Sequence, residues 1–399
     1  MKKILLLGGS AQQVVAITTA KRMGLFTILC DYLEDNPGQF SADRFYLAST
    51  TDKDAILKIA IQEQIDYIIA YASDPAAPTA AYVAEKLNLP TNPYESVKTL
   101  CNKDMFREFL LAHKFNAPKA LGFESKENAV KNIIQYQLPV IIKPVDSSGS
   151  KGATVIRDLS ALEDAIDFAF SFSRSHRIII EDYIEKKHEF LIGGDIFVSN
   201  GKVIQWGLMN CQRDNAANPL VPVGKSYPPK INDDDLQAAK DTLQRLVNEL
   251  GIQFGPMNVE LIIDKNDRVF LIDIGPRSGG NMIPDLLGMI FECDVVEMSI
   301  RAAMGENIKN DYKNGIPYYA TYNLHSSKNG ILKGISFSQE LQPFIVRKNI
   351  YKKNGDTIHF FSNASDAIGI VFFKFPSEAE MYNYLTDINE HIIIEVQEN

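Results

Sequence analysis

The feature that most constrains this chain is the alternation of short apolar runs with helical patterns over residues 1–90. Ile4 to Leu7 reads as a strand running into Gly8-Gly9-Ser10, and a helical stretch follows to about Met23. Phe26 to Cys30 is a second strand ending at Asp31. Tyr67 to Ala70 is a third, followed by the turn Ser73-Asp74-Pro75 and a helix from Ala80 to Leu87. Strands alternating with helices predict a parallel, doubly wound sheet, because parallel neighbours need a long crossover. In such sheets ligands sit beyond the carboxyl ends of the strands, so the turns after Leu7 and Tyr71 are candidate substrate walls. Gly8-Gly9 invites a dinucleotide reading, but Ala11 to Val14 supply no further glycine and G-x-G-x-x-G is incomplete. A tight strand-to-helix turn is the plainer reading.

Length extends the argument past one domain: 399 residues, at about 150 per domain, predict two or three. Hydrophobic residues at 45% and charged residues at 23% exclude a disordered chain. Lys and Arg number 41 against 50 Asp and Glu, a formal charge of -9 that repels phosphate backbones and anionic lipid. The basic pairs Lys2-Lys3, Lys186-Lys187 and Lys352-Lys353 never extend into a run, so neither nucleic acid nor a membrane is an expected partner. Cys30, Cys101, Cys211 and Cys293 form no C-x-x-C pair and read as reduced thiols of a cytoplasmic protein. Met1 to Ser10 imitates a signal peptide, but its apolar run, Ile4 to Leu7, is too short for one. Asn363-Ala364-Ser365 matches a glycosylation acceptor, read as coincidence without an export signal.

Around Asn92-Pro93 the pattern changes to a helix-rich segment, Tyr94 to His113. Pro139 to Lys143 and Ala153 to Ile156 predict a hairpin with the small-residue tip Ser147 to Gly152. Ile178 to Ile180 reads as a buried strand flowing into Glu181-Asp182-Tyr183-Ile184. Asp195 to Val198 and Lys202 to Gln205 flank Asn200-Gly201, a strong hairpin signal. Asp233 to Leu250 is an amphipathic helix, its first-turn aspartates complementing the helix dipole. Beyond Gly305 the chain is rich in strands and turns.

Chemistry concentrates in two strands, Val259 to Ile263 and Arg268 to Asp273. With Lys265-Asn266 as the turn, Glu260 faces Leu271 and Asp273 is its diagonal neighbour on the same face, about 7 to 8 Å away at the backbone. Two carboxylates so placed suit a hard cation such as Mg²⁺. An exposed acidic sheet face is the competing reading, and an odd-length turn would put the acids on opposite faces. Asp273 leads into Gly275-Pro276-Arg277-Ser278-Gly279-Gly280-Asn281, where an arginine fork could take phosphate or carboxylate or pair with a structural acid. The tip Ser147 to Gly152 offers backbone amides and hydroxyls to an anion, with Lys143 upstream. Gly224-Lys225-Ser226 is a fragment of a Walker A loop, but Pro219 replaces its first glycine and Pro228-Pro229 forbid the helix, so the match is discarded.

In order along the chain, these elements resemble the ATP-grasp family from about Met1 to Gly305. They are Asn102-Lys103-Asp104, Ile141-Ile142-Lys143-Pro144 with the glycine-rich flap, Glu181 to Ile184, Glu189, Glu260 and Asp273 to Arg277. The resemblance implies an α/β and α+β chain. A Rossmann-like N-terminal domain at residues 1–95 would precede a two-lobed ATP-grasp domain at 96–305, with a strand-rich region at 306–399 completing the substrate side. It implies that Lys103 and Lys143 neutralise ATP phosphates, under a flap whose amides around Ser148, Gly149, Ser150 and Gly152 cover them. Glu181, Asp182, Tyr183 and Ile184 would form the hinge whose backbone reads adenine, and Glu189 would accept the ribose hydroxyls. Glu260 and Asp273 would hold one or two Mg²⁺ ions, and Arg277 would stabilise the transferring phosphoryl group or a substrate carboxylate. Two departures bear on the metal count: Asp273 stands for the family's usual Glu, and Gly275 for its usual Asn.

The activity implied is an ADP-forming carboxylate-amine ligase acting through an acyl phosphate, and the turn from Pro276 to Pro284 looks most like the amino-acid-ligase branch. A ligase like those of purine synthesis, or a bicarbonate-activating carboxylase half, is the alternative within enzymes. A nucleotide-binding regulator without turnover is the alternative outside them. The expected partners are a small carboxylate and an amine, with a homodimer as the candidate assembly.

Overall fold

The computed structural model describes residues 1–147, 149–214, 218–309, 314–363 and 366–398. Ser148 and Ala364-Ser365 therefore lie outside the described residues. The N-terminal strands form the parallel sheet expected, in the order Arg44–Leu47, Phe26–Asp31, Lys3–Leu7, Tyr67–Ile69. The edge strand Arg44–Leu47 escaped the sequence pattern because none of its residues is fully buried. The Gly8-Gly9 turn is filled by protein. A Cβ at Gly8 would lie 2.3 Å from Gln13 Nε2, and one at Gly9 would lie 2.2 Å from Asn36 Oδ1. The buried Gln13 amide crosses beneath the turn to donate to the Tyr71 carbonyl at 2.7 Å, tying together the ends of two strands.

Helices Tyr94–Leu100 and Lys103–Ala112 lead into a smaller lobe. Its antiparallel sheet runs Ala120–Phe123, Ile178–Asp182, Val140–Pro144, Thr154–Ile156. Helices Lys126–Asn132 and Leu162–Phe172 cover one face through Ala129, Leu162 and Ile166. The hairpin from Val140 to Ile156 thus stands where its pattern put it.

An eight-stranded sheet carries the larger lobe. Its order is Val269–Gly275, Phe254–Ile263, Leu191–Ser199, Lys202–Asp214, Asn218–Tyr227, Tyr319–Leu324, Gly369–Lys374, Ile345–Ile350. The last three strands come from beyond residue 305, so the C-terminal stretch lengthens the same sheet; Gly330–Phe337 pairs separately with Thr357–Ile358 and Ile392–Gln397. Strand Phe254–Ile263 alternates half-exposed and buried positions along its whole length. Met257, Val259 and Leu261 face helix Asp233–Glu249, against its Ala239, Leu243 and Leu246. Each such aliphatic contributes about 1.5–3 kcal/mol on full burial, which fixes which face is inward. Asn258, Glu260 and Ile262 consequently face the cleft.

Candidate active site

The two acids meet by a route the sequence did not predict. Ile263 pairs with Val269, leaving the five-residue connection Asp264 to Arg268, with Asp267 at φ 61°. That odd length alone would send Glu260 and Asp273 to opposite faces. A β-bulge corrects it. Leu261 pairs with Leu271, but Glu260 pairs with Asp273, so Ile272 is the extra residue. The expected register, Glu260 opposite Leu271 with Asp273 diagonal, is therefore replaced by a direct Glu260–Asp273 pair. Bulges re-aim a side chain by inserting one residue, and here Ile272 and Asp273 both turn toward the cleft.

Arg107 holds the bulge in place. Its guanidinium donates to the carbonyls of Leu271 at 3.2 Å and Ile272 at 2.6 Å, and its Nε lies 2.9 Å from Glu181 Oε1. Lys143 Nζ lies 2.8 Å from the other Glu181 oxygen. All three charges are buried, Arg107 and Glu181 being 2% exposed. Burial pushes the Lys143 ammonium down, only partly offset by Glu181, and would raise the Glu181 carboxyl if Arg107 and Lys143 did not outweigh it and hold it low. Sequence reasoning missed Arg107. A signal was present, since Arg107 falls beside Phe106 and Leu110 on the buried stripe of its helix, where charged residues are rare unless paired.

Two cavities adjoin at Glu260 and Asp273. The first, about 620 Å³, lies between the lobes and is lined by Lys103, Lys143, Tyr183, Ile184, Glu189 and the flap residues Ser150 and Lys151. Lys103 Nζ sits 3.4 Å from Asp273 Oδ2 and donates to the Ser147 carbonyl at 2.9 Å. Burial would raise the Asp273 carboxyl, but Lys103, Lys143, Arg107 and Arg277 hold it below the usual carboxylate range. Ser150 Oγ donates to Leu220 O at 2.9 Å, pinning the flap tip to the larger lobe. Gly149 and Gly152 adopt φ 67° and 74°, in the left-handed region that favours glycine. Glu189 pairs with Lys230 at 2.8 Å on the cavity rim.

Glu181 and Asp182 do not line this cavity; Tyr183 and Ile184 do. Strand Ile178–Asp182 turns Glu181 down into the ion triad, while the amides of Asp182 and Tyr183 donate to the carbonyls of Lys119 and Pro139.

The second cavity, about 550 Å³, shares Glu260, Asp273, Ser150 and Lys151 but opens toward Gln12, Asp74, Arg277, Asn281, Lys225 and Lys352. Arg277 pairs with Asp74, realising the structural-acid reading, yet still lines the cavity. The turn after Gly275 is held by Asp195, which accepts from Gly279 N and Asn258 Nδ2, each at 2.8 Å. Lys225, set aside with the Walker fragment, lies in strand Asn218–Tyr227 and is 6% exposed. Its Nζ is 2.7 Å from Cys211 Sγ. Lys225 makes no contact ion pair among the described residues, although the Asp195 carboxylate is within reach of its charge, and it can take an anion entering this cavity.

Residues 102–311, more than half of the chain, match the family described as the ATP-binding domain of the carbamoyl-phosphate synthase L chain. The chain belongs to this ATP-grasp family. A formate-dependent phosphoribosylglycinamide formyltransferase of Sulfurisphaera tokodaii is 26% identical over 314 residues, covering 76% of each chain. Among solved structures, the L-amino acid ligase from Bacillus licheniformis superposes with a TM-score of 0.83 at 18% identity, over 100% of this chain and 99% of that one. Phosphoribosylglycinamide synthetase from Anaerococcus prevotii superposes at 0.77 and 21% identity, over 99% and 100%. At these identities the superpositions establish the ATP-grasp fold. The family match contains Lys103, Lys143, Glu260, Asp273 and Arg277 but not Asp74, nor any residue beyond 311.

Proposed function

We propose that this protein is an ATP-dependent, ADP-forming ligase that joins a small carboxylate or amino acid to an amine through an acyl phosphate. The observation that carries the reading is the junction of two cavities at one carboxylate pair, with lysines on the first side and Arg277 and Lys225 on the second. ATP occupies the first cavity. A related fold, N5-carboxyaminoimidazole synthetase from Staphylococcus aureus, is known with ADP, which supports that assignment. Tyr183 and Ile184 provide the wall for adenine, Glu189 takes the ribose hydroxyls, and Lys103, Lys143 and the flap amides around Ser148 to Gly152 neutralise the phosphates.

Glu260 and Asp273 fit Mg²⁺: they are hard oxygen donors, paired across the bulge and facing the cleft. Among the described residues no group of three or more His, Cys, Asp or Glu could hold a metal ion. Two carboxylates suffice, since Mg²⁺ is commonly bound by one or two carboxylates together with substrate phosphates. When bound it neutralises phosphate charge. The remaining work falls to the chain. A carboxylate oxygen of the first substrate attacks the γ-phosphorus and ADP leaves; the amine then attacks the acyl carbon, loses a proton, and phosphate leaves. Arg277 and Lys225 orient and neutralise the carboxylate, and the closed flap excludes water. No protein nucleophile is needed, because phosphoryl transfer depends mainly on positioning and charge neutralisation.

In this reading residues 1–95 form one wall of the acceptor side, 96–305 carry nucleotide and metal, and 306–399 close the substrate side. The four cysteines are unpaired, as suits a reducing cytoplasm, and a homodimer is the proposed assembly. Among the described residues no helix is long and apolar enough to cross a membrane.

Coupled ADP release, measured over L-amino acids, formate, bicarbonate and small carboxylates with and without amines, tests the proposal. Substrate-stimulated release supports the ligase. Nucleotide binding without stimulation across the panel would indicate a regulator instead. The 26% identity to formate-dependent enzymes over 76% of the chain favours a second reading, a purine-type ligase. Stimulation by formate only with a phosphoribosyl amine would select it.

A further inference from the structure

We propose that Asp74, from the N-terminal sheet, is the positioning residue that aims Arg277 into the acceptor cavity, and that residue 275 is glycine to make room for it. This deepens the ligase reading and rests on it. Asp74 follows strand Tyr67–Ile69 at the carboxyl edge of the parallel sheet, far in sequence from Arg277. Its Oδ2 accepts from Arg277 Nη2. Arg277 Nη1 donates to the Ser278 carbonyl at 3.0 Å, while Nε is buried without a partner. Of the five donors a guanidinium carries, two are thus engaged by the protein, leaving capacity for a ligand anion in the cavity that Arg277 lines.

Gly275 supplies the independent observation. It is absent from the positive-φ glycines, so its backbone does not call for glycine. Space does. A Cβ there would lie 2.4 Å from Asp74 Oδ1 and 3.1 Å from Arg277 Cζ. Asp74 Oδ1 is itself buried and without a hydrogen bond, an arrangement that costs free energy, and it occupies the space a side chain at residue 275 would need. A tether between two parts of the chain would not need that approach; aiming one guanidinium from two sides does. Because Asp74 lies outside residues 102–311, acceptor choice would be set in part by a segment that the family match does not cover.

The test uses the full chain and phenylglyoxal, a dicarbonyl selective for arginine, with Arg277 modification followed by peptide mass spectrometry. Asp74→Asn keeps the shape and removes the charge; Gly275→Ala pushes the same carboxylate from the opposite side. Both should speed Arg277 modification by about tenfold, the scale of one lost charge-assisted bond, with MgADP affinity little changed although the thermal midpoint falls with the loss of a buried ion pair. In the ADP-release assay, with L-alanine and formate as probes, half-saturation by the probe should rise while that for ATP holds. Unchanged modification in both variants would overturn the inference. So would faster modification accompanied by a matching loss of MgADP affinity, which marks a tether. If no carboxylate or amine of the full panel stimulates ADP release but modification still accelerates, the positioning stands and the ligase reading fails. If a probe stimulates release with unaltered half-saturation in Asp74→Asn, the positioning fails and the ligase stands.

Discussion

The two cavities that meet at Glu260 and Asp273 are built in different ways. The nucleotide side draws its lining from one stretch of the family match, Lys103 to Asp273. The acceptor side is assembled from four separated parts of the chain: the turns at Gln12 and Asp74, the flap residues Gly149 to Lys151, the large sheet and its following turn from Lys225 to Asn281, and Tyr351 with Lys352 just beyond strand Ile345–Ile350. A site made by one stretch is specified by motifs, whereas a site made by four is specified by how sheets stack. The same contrast separates charges that pair with one another, Arg107 and Lys143 with Glu181, from Lys225, whose neighbour is a thiol.

The largest expected effect falls on the shared boundary. Glu260→Gln and Asp273→Asn should each lower ADP release by about 10²- to 10³-fold, the scale of losing one group that neutralises transition-state charge. Steady-state kinetics would show it, and calorimetry of ADP with and without Mg²⁺ should lose its metal dependence. Retained turnover would mean that the acids are only a sheet face. Next is Arg107→Met, which removes one partner of a buried charge network and the clamp on the bulge. It should destabilise by about 3–5 kcal/mol in urea unfolding, and Arg107→Met/Glu181→Gln should not recover the loss, because Lys143 then stands buried without its carboxylate.

A smaller effect separates the cavities most directly. Lys225→Met should raise the acceptor half-saturation by about tenfold, as expected for a charged hydrogen bond worth roughly 1.5–3 kcal/mol, and leave ADP affinity unchanged. An equal loss on both sides would show the cavities to be one. The smallest effect belongs to Asp264, which closes the five-residue connection. Although burial opposes ionisation, Arg268 and the amides of Arg268 and Asn266 hold its carboxyl at about 2, against 3.8 ordinarily. The unfolded chain binds the proton first as pH falls, so this contribution is complete above pH 3.8 and disappears as pH drops through about 2. The difference in urea midpoint between wild type and Asp264→Asn should therefore shrink from about pH 5 to about pH 3.

Much of the nucleotide side was legible in sequence, because strands alternate with period two and helices repeat every three to four residues. Val140–Pro144, the Asn200-Gly201 hairpin and helix Asp233–Glu249 follow from such local signals. The pairing of Glu260 with Asp273 was anticipated, but on a mistaken register. The bulge at Ile272 depends on carbonyls held by Arg107, a residue 165 positions away, and no local pattern encodes that.

The sequence by itself determined the order of the regular elements, the buried face of strands such as Phe254–Ile263 and the set of charged residues available for a triphosphate. These depend on side-chain period and turn chemistry within a few residues. Only the tertiary structure decided which charges are spent on one another and which face a cavity. Arg107 and Lys143 meet Glu181, Asp74 meets Arg277 over Gly275, and Lys225 lies beside Cys211 on the wall of the second cavity. Charge pairing acts across a few ångströms of space regardless of separation along the chain, and that proximity exists only once the sheets have packed.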